Sequence, residues 1–140
     1  VGMHAQRLGE ELRFEGRLSG RQREIAILCV AMHWKADYEW WAHSRIAAAH
    51  GVEPAIIEAI RRGDTPPLTD EAEKLICEFT RALLREHVVG DDLYGRTATA
   101  LGEGELVELV TLLGYYVMIS MTLNVFRVEL PEGEKSPFAD

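Results

Sequence analysis

The chain has 140 residues, 47% hydrophobic and 27% charged, a composition that suits one soluble globular domain with its own core. Its 15 basic and 23 acidic residues give a net charge of −8, and the lack of an extended basic cluster argues against a nucleic-acid partner. The N-terminal residues are too polar for a signal peptide, and the longest apolar run is too short to cross a bilayer, so we expect a cytoplasmic protein without membrane contact.

Helix-capping signals repeat along the sequence and no strand pattern accompanies them, which predicts an all-α domain of six to seven helices spanning residues 1–140. Ser19 and Gln22 form a capping-box pattern at the start of the second helix. A glycine at position 51 ends the third helix, and Thr69 is the expected N-cap of the fifth. The predicted helices cover about 3–15, 20–33, 37–50, 54–63, 70–87, 91–102 and 103–126. The tail, 131–140, is expected to be flexible.

The last predicted helix is apolar nearly all round from Leu106 to Phe126. Such a helix must be covered on most of its faces. A chain of this size has few helices with which to cover it, so we expect self-association into a homo-oligomer, a trimer or hexamer. The alternative is a central helix wrapped entirely by its own chain.

The two cysteines, Cys29 and Cys77, each fall among apolar residues of a predicted helix. They are far apart in sequence and form no Cys-x-x-Cys pair. We therefore interpret each as a free core thiol in a reducing cytoplasm.

A possible acid–base pair lies on the third helix, where Glu39 and His43 are one turn apart. Their side chains share one face, and a carboxylate beside an imidazole favours the charged ring and leaves the far nitrogen free to meet a ligand. A solvated surface contact has the same spacing. Large apolar neighbours, including Trp40 and Trp41, favour a buried pair, which needs polar partners.

Other polar residues near this segment are further candidates. Glu24 precedes a continuous apolar run on the second helix, and a tight turn near Lys35 would allow it to reach His43. Candidate substrate-binding residues are His33, Tyr38 and Arg45. The simpler interpretation of His33 is a helix-end hydrogen bond. For Tyr38 it is aromatic packing, and for Arg45 it is a salt bridge.

Three segments of the chain together resemble the carboxymuconolactone decarboxylase family: Leu18–Leu28 its opening, Tyr38–Ala47 its signature helix, and Glu105–Asn124 its closing helix. The resemblance spans about residues 18–130 and implies an alkyl hydroperoxide reductase D-like helical fold. In the alkyl hydroperoxide reductase D branch, the two redox cysteines correspond to Ala36 and Glu39. Thiol–disulfide chemistry is therefore excluded at this site.

The decarboxylase branch of the family has a Glu one turn before the motif His, as Glu39 stands before His43. This resemblance implies catalysis without a metal or organic cofactor on a carboxylated lactone of aromatic catabolism. We expect His43 to shuttle a proton, Glu39 to orient it and Glu24 to act as a second acid or base. The pattern at Glu24 and Arg45 differs from that branch, so the substrate need not be the same.

Several alternatives stay open at this stage. One is a non-catalytic helical oligomer that binds a small molecule or a partner protein in the same pocket. Another is an atypical peroxidase-related protein without the redox cysteines of the motif. A metal held by Glu24, Glu39 and His43 is a weaker possibility, because carboxylate-rich helical bundles use Glu-x-x-His from two helices. We expect no cofactor.

Overall fold

The computed structural model describes residues 1–139, and its regular secondary structure is helical throughout this range. The helices are α1 (Gly2–Glu10), α2 (Gly20–Trp34), α3 (Asp37–Ala49), α4 (Pro54–Arg62), α5 (Glu71–Glu86), α6 (Asp91–Leu101) and α7 (Glu103–Val125). A π-helical turn, Glu11–Glu15, continues α1. The all-α prediction is confirmed.

Side-chain caps begin α2 and α5, and a glycine cap ends α4. The Ser19 hydroxyl accepts a hydrogen bond from the backbone N–H of Gln22, and the Ser19 backbone N–H donates one to the Gln22 side chain, completing the capping box of α2. Gly63 adopts the left-handed conformation that ends α4. The prediction of Thr69 as the cap of α5 is wrong by one residue, because Asp70 accepts the hydrogen bond from Glu73.

Helix α2 runs through the centre of the domain and packs against α3, α4, α5 and α7. Its residues from Glu24 to Ala31 are all buried. Two groups of core side chains lie on its opposite sides. One joins α2 to α5 and α7, and the other joins α2 to α3, α4 and α5. A polar group on this helix is therefore removed from water unless a neighbouring helix supplies a partner.

Helix α7 is buried on one side only within the single chain. Leu109, Leu112 and Tyr116 pack into the core, whereas Val107 and Val110 are exposed. Among residues 1–139, α7 is the one helix that is long and apolar enough to cross a membrane. Core helices of soluble proteins also meet this criterion of length and composition. Only 33% of its apolar window is buried, so the near-complete coverage expected from the sequence is not achieved by this chain alone.

Residues 136–138 of the C-terminal tail lie against the body of the domain, and the flexibility expected for 131–140 stays a prediction. The Phe138 ring packs edge-on against Trp40 at 5.4 Å, and the Ser136 hydroxyl donates to Asp37 at 2.7 Å. Arg61 also donates to the Pro137 carbonyl at 2.9 Å. An aromatic side chain and a hydroxyl therefore anchor the segment. Asp140 lies outside the described residues.

Candidate active site

Two carboxylates hold one histidine between helices α2 and α3. The Nδ1 atom of His43 lies 2.6 Å from Glu24 Oε1, and its Nε2 atom lies 2.8 Å from Glu39 Oε1. Glu24, His43 and Glu39 are 1%, 5% and 6% exposed, so the group is removed from bulk water. We call these three residues the Glu–His–Glu cluster. It differs from the predicted pair in one respect, because both ring nitrogens are occupied and neither is free.

A short turn after α2 brings the members of this cluster together. Lys35 adopts a left-handed backbone conformation with φ 50°, and its N–H bonds to the carbonyls of Ala31 and Met32 as a helix cap. The chain then enters α3 at Asp37 and packs back along α2. This arrangement lets Glu24 reach His43, as the sequence suggested, while the helical spacing alone places Glu39 beside it.

The charge state of His43 follows from its two partners. Burial by itself lowers the pKa of His43, but the hydrogen bonds that its ring donates to Glu24 and Glu39, together with their negative charges, outweigh that effect and raise the pKa from 6.5 to about 9. A ring that holds a proton on each nitrogen matches the geometry, since each N–H then donates to a carboxylate. His43 is therefore an imidazolium at neutral pH.

Two residues that were not predicted from the sequence, Arg23 and Tyr116, lie against the Glu–His–Glu cluster. The Arg23 side chain, itself largely buried, lies 3.4 Å from Glu24 Oε2 and supplies a second positive charge. The Tyr116 ring of α7 packs edge-on against the His43 ring at 5.1 Å. Burial and the nearby charge of Glu39 raise the pKa of the Tyr116 hydroxyl above its ordinary value, so it stays a donor. Tyr116 lies in the segment Glu105–Asn124, which resembles the closing helix of the family. That resemblance was the sequence signal that could have identified it.

The three predicted substrate-binding residues do not join the Glu–His–Glu cluster. His33 is exposed near the end of α2, about 13 Å along the helix axis from Glu24. Tyr38 is half-buried against Trp41 and lines a separate cavity of about 400 Å³. Arg45 pairs with Glu134 at 3.5 Å, as its position on another helix face favours.

Glu24, Glu39 and His43 are also the residues that the sequence offered as ligands of a metal ion. An imidazole whose two nitrogens both donate to carboxylates has no lone pair left for a metal. The imidazolium of His43 itself provides the positive charge between Glu24 and Glu39. The geometry of the cluster therefore favours proton handling over metal ligation.

Comparison with known proteins places this geometry in a family. The sequence model of the carboxymuconolactone decarboxylase family matches residues 4–82, more than half of the chain. The chain belongs to the carboxymuconolactone decarboxylase family. The matched residues include all of the Glu–His–Glu cluster, whereas α7 with Tyr116 lies beyond them.

A solved structure of the same fold extends the likeness to nearly the whole chain. It is the crystal structure of an uncharacterized peroxidase-related protein from Silicibacter sp. TM1040, with a TM-score of 0.81 over 93% of this chain and 70% of that chain. The sequences are 15% identical, so the likeness shows the shared fold alone. No curated protein matches this chain.

The raised pKa of His43 predicts that the domain loses stability in alkaline solution. A group whose pKa is higher in the folded state stabilises the fold fully below its unfolded pKa, near 6.5, and loses that contribution as the pH rises through about 9. The difference corresponds to about 3 kcal/mol. Urea unfolding measured from pH 7 to 10 should show this fall.

The matched control for that experiment is the double variant Glu24→Gln/Glu39→Gln, which keeps the side-chain shapes and removes both negative charges. Its stability should vary much less over the same pH range, because burial without carboxylates lowers the pKa of His43. Parallel curves for the double variant and the unmodified protein would contradict the assignment of the effect to this cluster.

Proposed function

We propose that this protein is a cofactor-independent lyase of the decarboxylase type, acting on a small carboxylated or lactone-like molecule of aromatic compound catabolism. The observation that carries the proposal is the imidazolium of His43 held between two buried carboxylates. A buried group that keeps a proton at neutral pH and gives it up near pH 9 is suited to general acid catalysis. Membership in the family supports the reaction class by association.

In the proposed reaction the substrate loses its carboxylate as carbon dioxide, and the bonding electrons remain on the substrate as an enolate. His43 donates a proton to the enolate carbon and is reprotonated from water. Nε2 is the donating atom in this scheme, because its partner Glu39 is 6% exposed whereas Glu24, the partner of Nδ1, is 1% exposed. Glu24 keeps the ring oriented through Nδ1.

Tyr116 and Arg23 have supporting roles in this scheme. The Tyr116 hydroxyl, which stays protonated, donates a hydrogen bond to the developing enolate oxygen. Arg23 balances the charge of Glu24, so the cluster with its neighbours is close to neutral when a carboxylated substrate arrives. Both roles use groups that lie against the cluster rather than in it.

The test is a turnover assay with purified protein on γ-carboxymuconolactone and smaller lactone and β-keto acids. Carbon dioxide release should proceed with EDTA present, and in D₂O the product should carry deuterium at the enolate carbon that takes up the proton, which is the carbon α to the remaining carbonyl group. Activity that requires an added metal or organic cofactor would contradict the proposal. So would a product without deuterium at that carbon.

A second candidate is a non-catalytic oligomer in which the cluster binds a small molecule or stabilises the fold. The saturation of both His43 nitrogens favours it, because a fully paired buried ion cluster is a complete structural unit. In this case the assay finds no turnover on any of these acids, while the pH dependence of stability persists.

We also propose that this protein is cytoplasmic and that it assembles as a trimer or hexamer through the open face of α7. This face consists of Val107, Val110, Met118, Met121 and Val125, all exposed in the single chain. A second copy of α7 offers the same apolar side chains, so pairing removes them from water on both chains.

The variant Val110→Glu should dissociate the assembly, because it introduces a charge in the centre of the buried patch. Light scattering after size exclusion should give a multiple of 15.7 kDa for the unmodified protein and about 15.7 kDa for the variant. Val88→Glu, an exposed site in the loop after α5, is the control and should keep the assembled mass. A monomeric unmodified protein would overturn the proposal.

A further inference from the structure

The fold brings together the two cysteines that are far apart in sequence. Cys29 of α2 and Cys77 of α5 have their Sγ atoms 3.7 Å apart, and both are free thiols. They are 3% and 4% exposed and belong to the core group that joins α2 to α3, α4 and α5. The interpretation of two unrelated core thiols is therefore incomplete, because each sulfur is the neighbour of the other.

An arginine lies beside this pair of sulfurs. Arg81 follows Cys77 by one helical turn on α5, and its positive charge lowers the pKa of both thiols. Its Nη2 atom is buried and has no hydrogen-bond partner within residues 1–139. An unpaired guanidinium nitrogen next to a thiol stabilises the thiolate form or binds an anion.

The two sulfurs differ in their environment. The hydrogen bond from Cys29 and the charge of Arg81 lower the pKa of Cys77 despite its burial. Hydrogen bonding to Cys77 and burial raise the pKa of Cys29. Cys77 is therefore the more easily deprotonated of the two thiols, and it is also the one that lines the adjoining cavity.

A cavity of about 540 Å³ gives Cys77 a route to solvent. Its charged lining side chains are Lys74, Glu78, Arg81 and Arg85. Three of these four are cations, of which Arg85 pairs with Glu86 at 3.1 Å, and the acidic one, Glu78, pairs with Arg96 on α6 at 3.3 Å. The cavity therefore selects a small molecule with negative charge.

We propose that Cys29 and Cys77 form a redox-active thiol pair that exchanges with a small carboxylated disulfide entering this cavity. The Cys77 thiolate attacks one sulfur of the disulfide, whose S–S bond breaks, and the departing thiolate takes a proton from water. Cys29 then attacks the Cys77 sulfur, and its proton goes to the second departing thiolate. The two cysteines are oxidised to a disulfide and the small molecule is reduced to two thiols.

This activity is separate from the proposed lyase reaction. Cys29 lies five residues after Glu24 on α2, which places the two side chains about 140° apart around the helix. Neither thiol contributes to the Glu–His–Glu cluster. Thiol exchange therefore stands or fails independently of decarboxylation.

The experiment uses the folded 140-residue chain, reduced and freed of reductant, with oxidised glutathione as the anionic disulfide and cystamine as the cationic one. Each rate is divided by the rate of the same disulfide with the urea-unfolded chain, which removes differences in intrinsic reactivity. We expect oxidised glutathione to be preferred by at least about tenfold, and peptide mapping to find a Cys29–Cys77 disulfide. Lys74→Gln/Arg85→Gln should reduce the preference, and Arg7→Gln, on remote α1, should not.

The order of attack distinguishes a redox pair from two buried thiols that react by unfolding. Cys29→Ser should stop at a mixed disulfide on Cys77, and brief treatment of the unmodified protein should place the first adduct on Cys77 as well. The proposal is overturned if the first adduct is on Cys29, if no Cys29–Cys77 disulfide forms, or if both disulfides react at equal normalised rates. Circular dichroism confirms that each protein tested is folded.

Discussion

Replacing Glu24 by alanine should lower the free energy of unfolding by about 3–5 kcal/mol at neutral pH, as expected when one partner of a buried ion pair is removed. Glu24 is 1% exposed and accepts from His43 at 2.6 Å while Arg23 lies 3.4 Å away. Without this carboxylate, Arg23 loses its ion-pair partner and His43 keeps only Glu39, and the truncated side chain leaves a void in the core. Urea unfolding followed by circular dichroism gives the change directly.

A matched control is Glu78→Ala on α5, which also removes a carboxylate from an ion pair, here with Arg96. Both side chains of that pair are exposed, so the change should cost no more than about 1 kcal/mol. Equal losses for the two variants would contradict a stabilising role for Glu24 in the cluster. The variant Glu24→Gln, which keeps the shape, should fall between them.

The largest expected effect on activity is that of His43→Gln, which should lower kcat of the proposed lyase reaction by about 10²–10⁴-fold, the usual contribution of a positioned acid or base. Glutamine fills a similar volume and can still bond to one carboxylate, but it has no proton to give. A fall in kcat with little change in KM is expected, because the proton transfer occurs after substrate binding.

The control for that variant is His4→Gln, the same substitution on the exposed helix α1, which should leave kcat unchanged. Glu39→Gln should lower kcat as well and shift the alkaline limb of the pH profile downward, because the negative charge that helps to raise the pKa of His43 is gone. Unchanged kcat in both His43→Gln and Glu39→Gln would show that the acid–base assignment is wrong.

The helices of this fold were largely predictable because their signals are local. Ser19 and Gln22 lie three residues apart, and their capping box forms as the sequence pattern indicates. The error at Thr69 arose because Asp70 is an equally good cap one residue later. The docked tail was not predictable, since Phe138 finds its site on Trp40 only after α3 is in place.

The site was predictable only in part, for a similar reason. Helical spacing places Glu39 beside His43, and the α2–α3 turn allows Glu24 to approach. The direction of each imidazole nitrogen depends on packing between helices, so the sequence did not show that both are occupied. The contact of Cys29 with Cys77 depends on how α2 meets α5 and has no signature in residue spacing.

Nitrogen-15 NMR of the histidine rings tests whether His43 is a protonated acid held between two carboxylates. Both ring nitrogens of His43 should carry protons at pH 7.5, and their shifts should change only around pH 9. His33, whose pKa is lowered by partial burial and by the nearby His87 and Lys35, should titrate below 6.5 in the same spectra. A His43 ring that is a neutral tautomer at pH 7.5 would contradict the account.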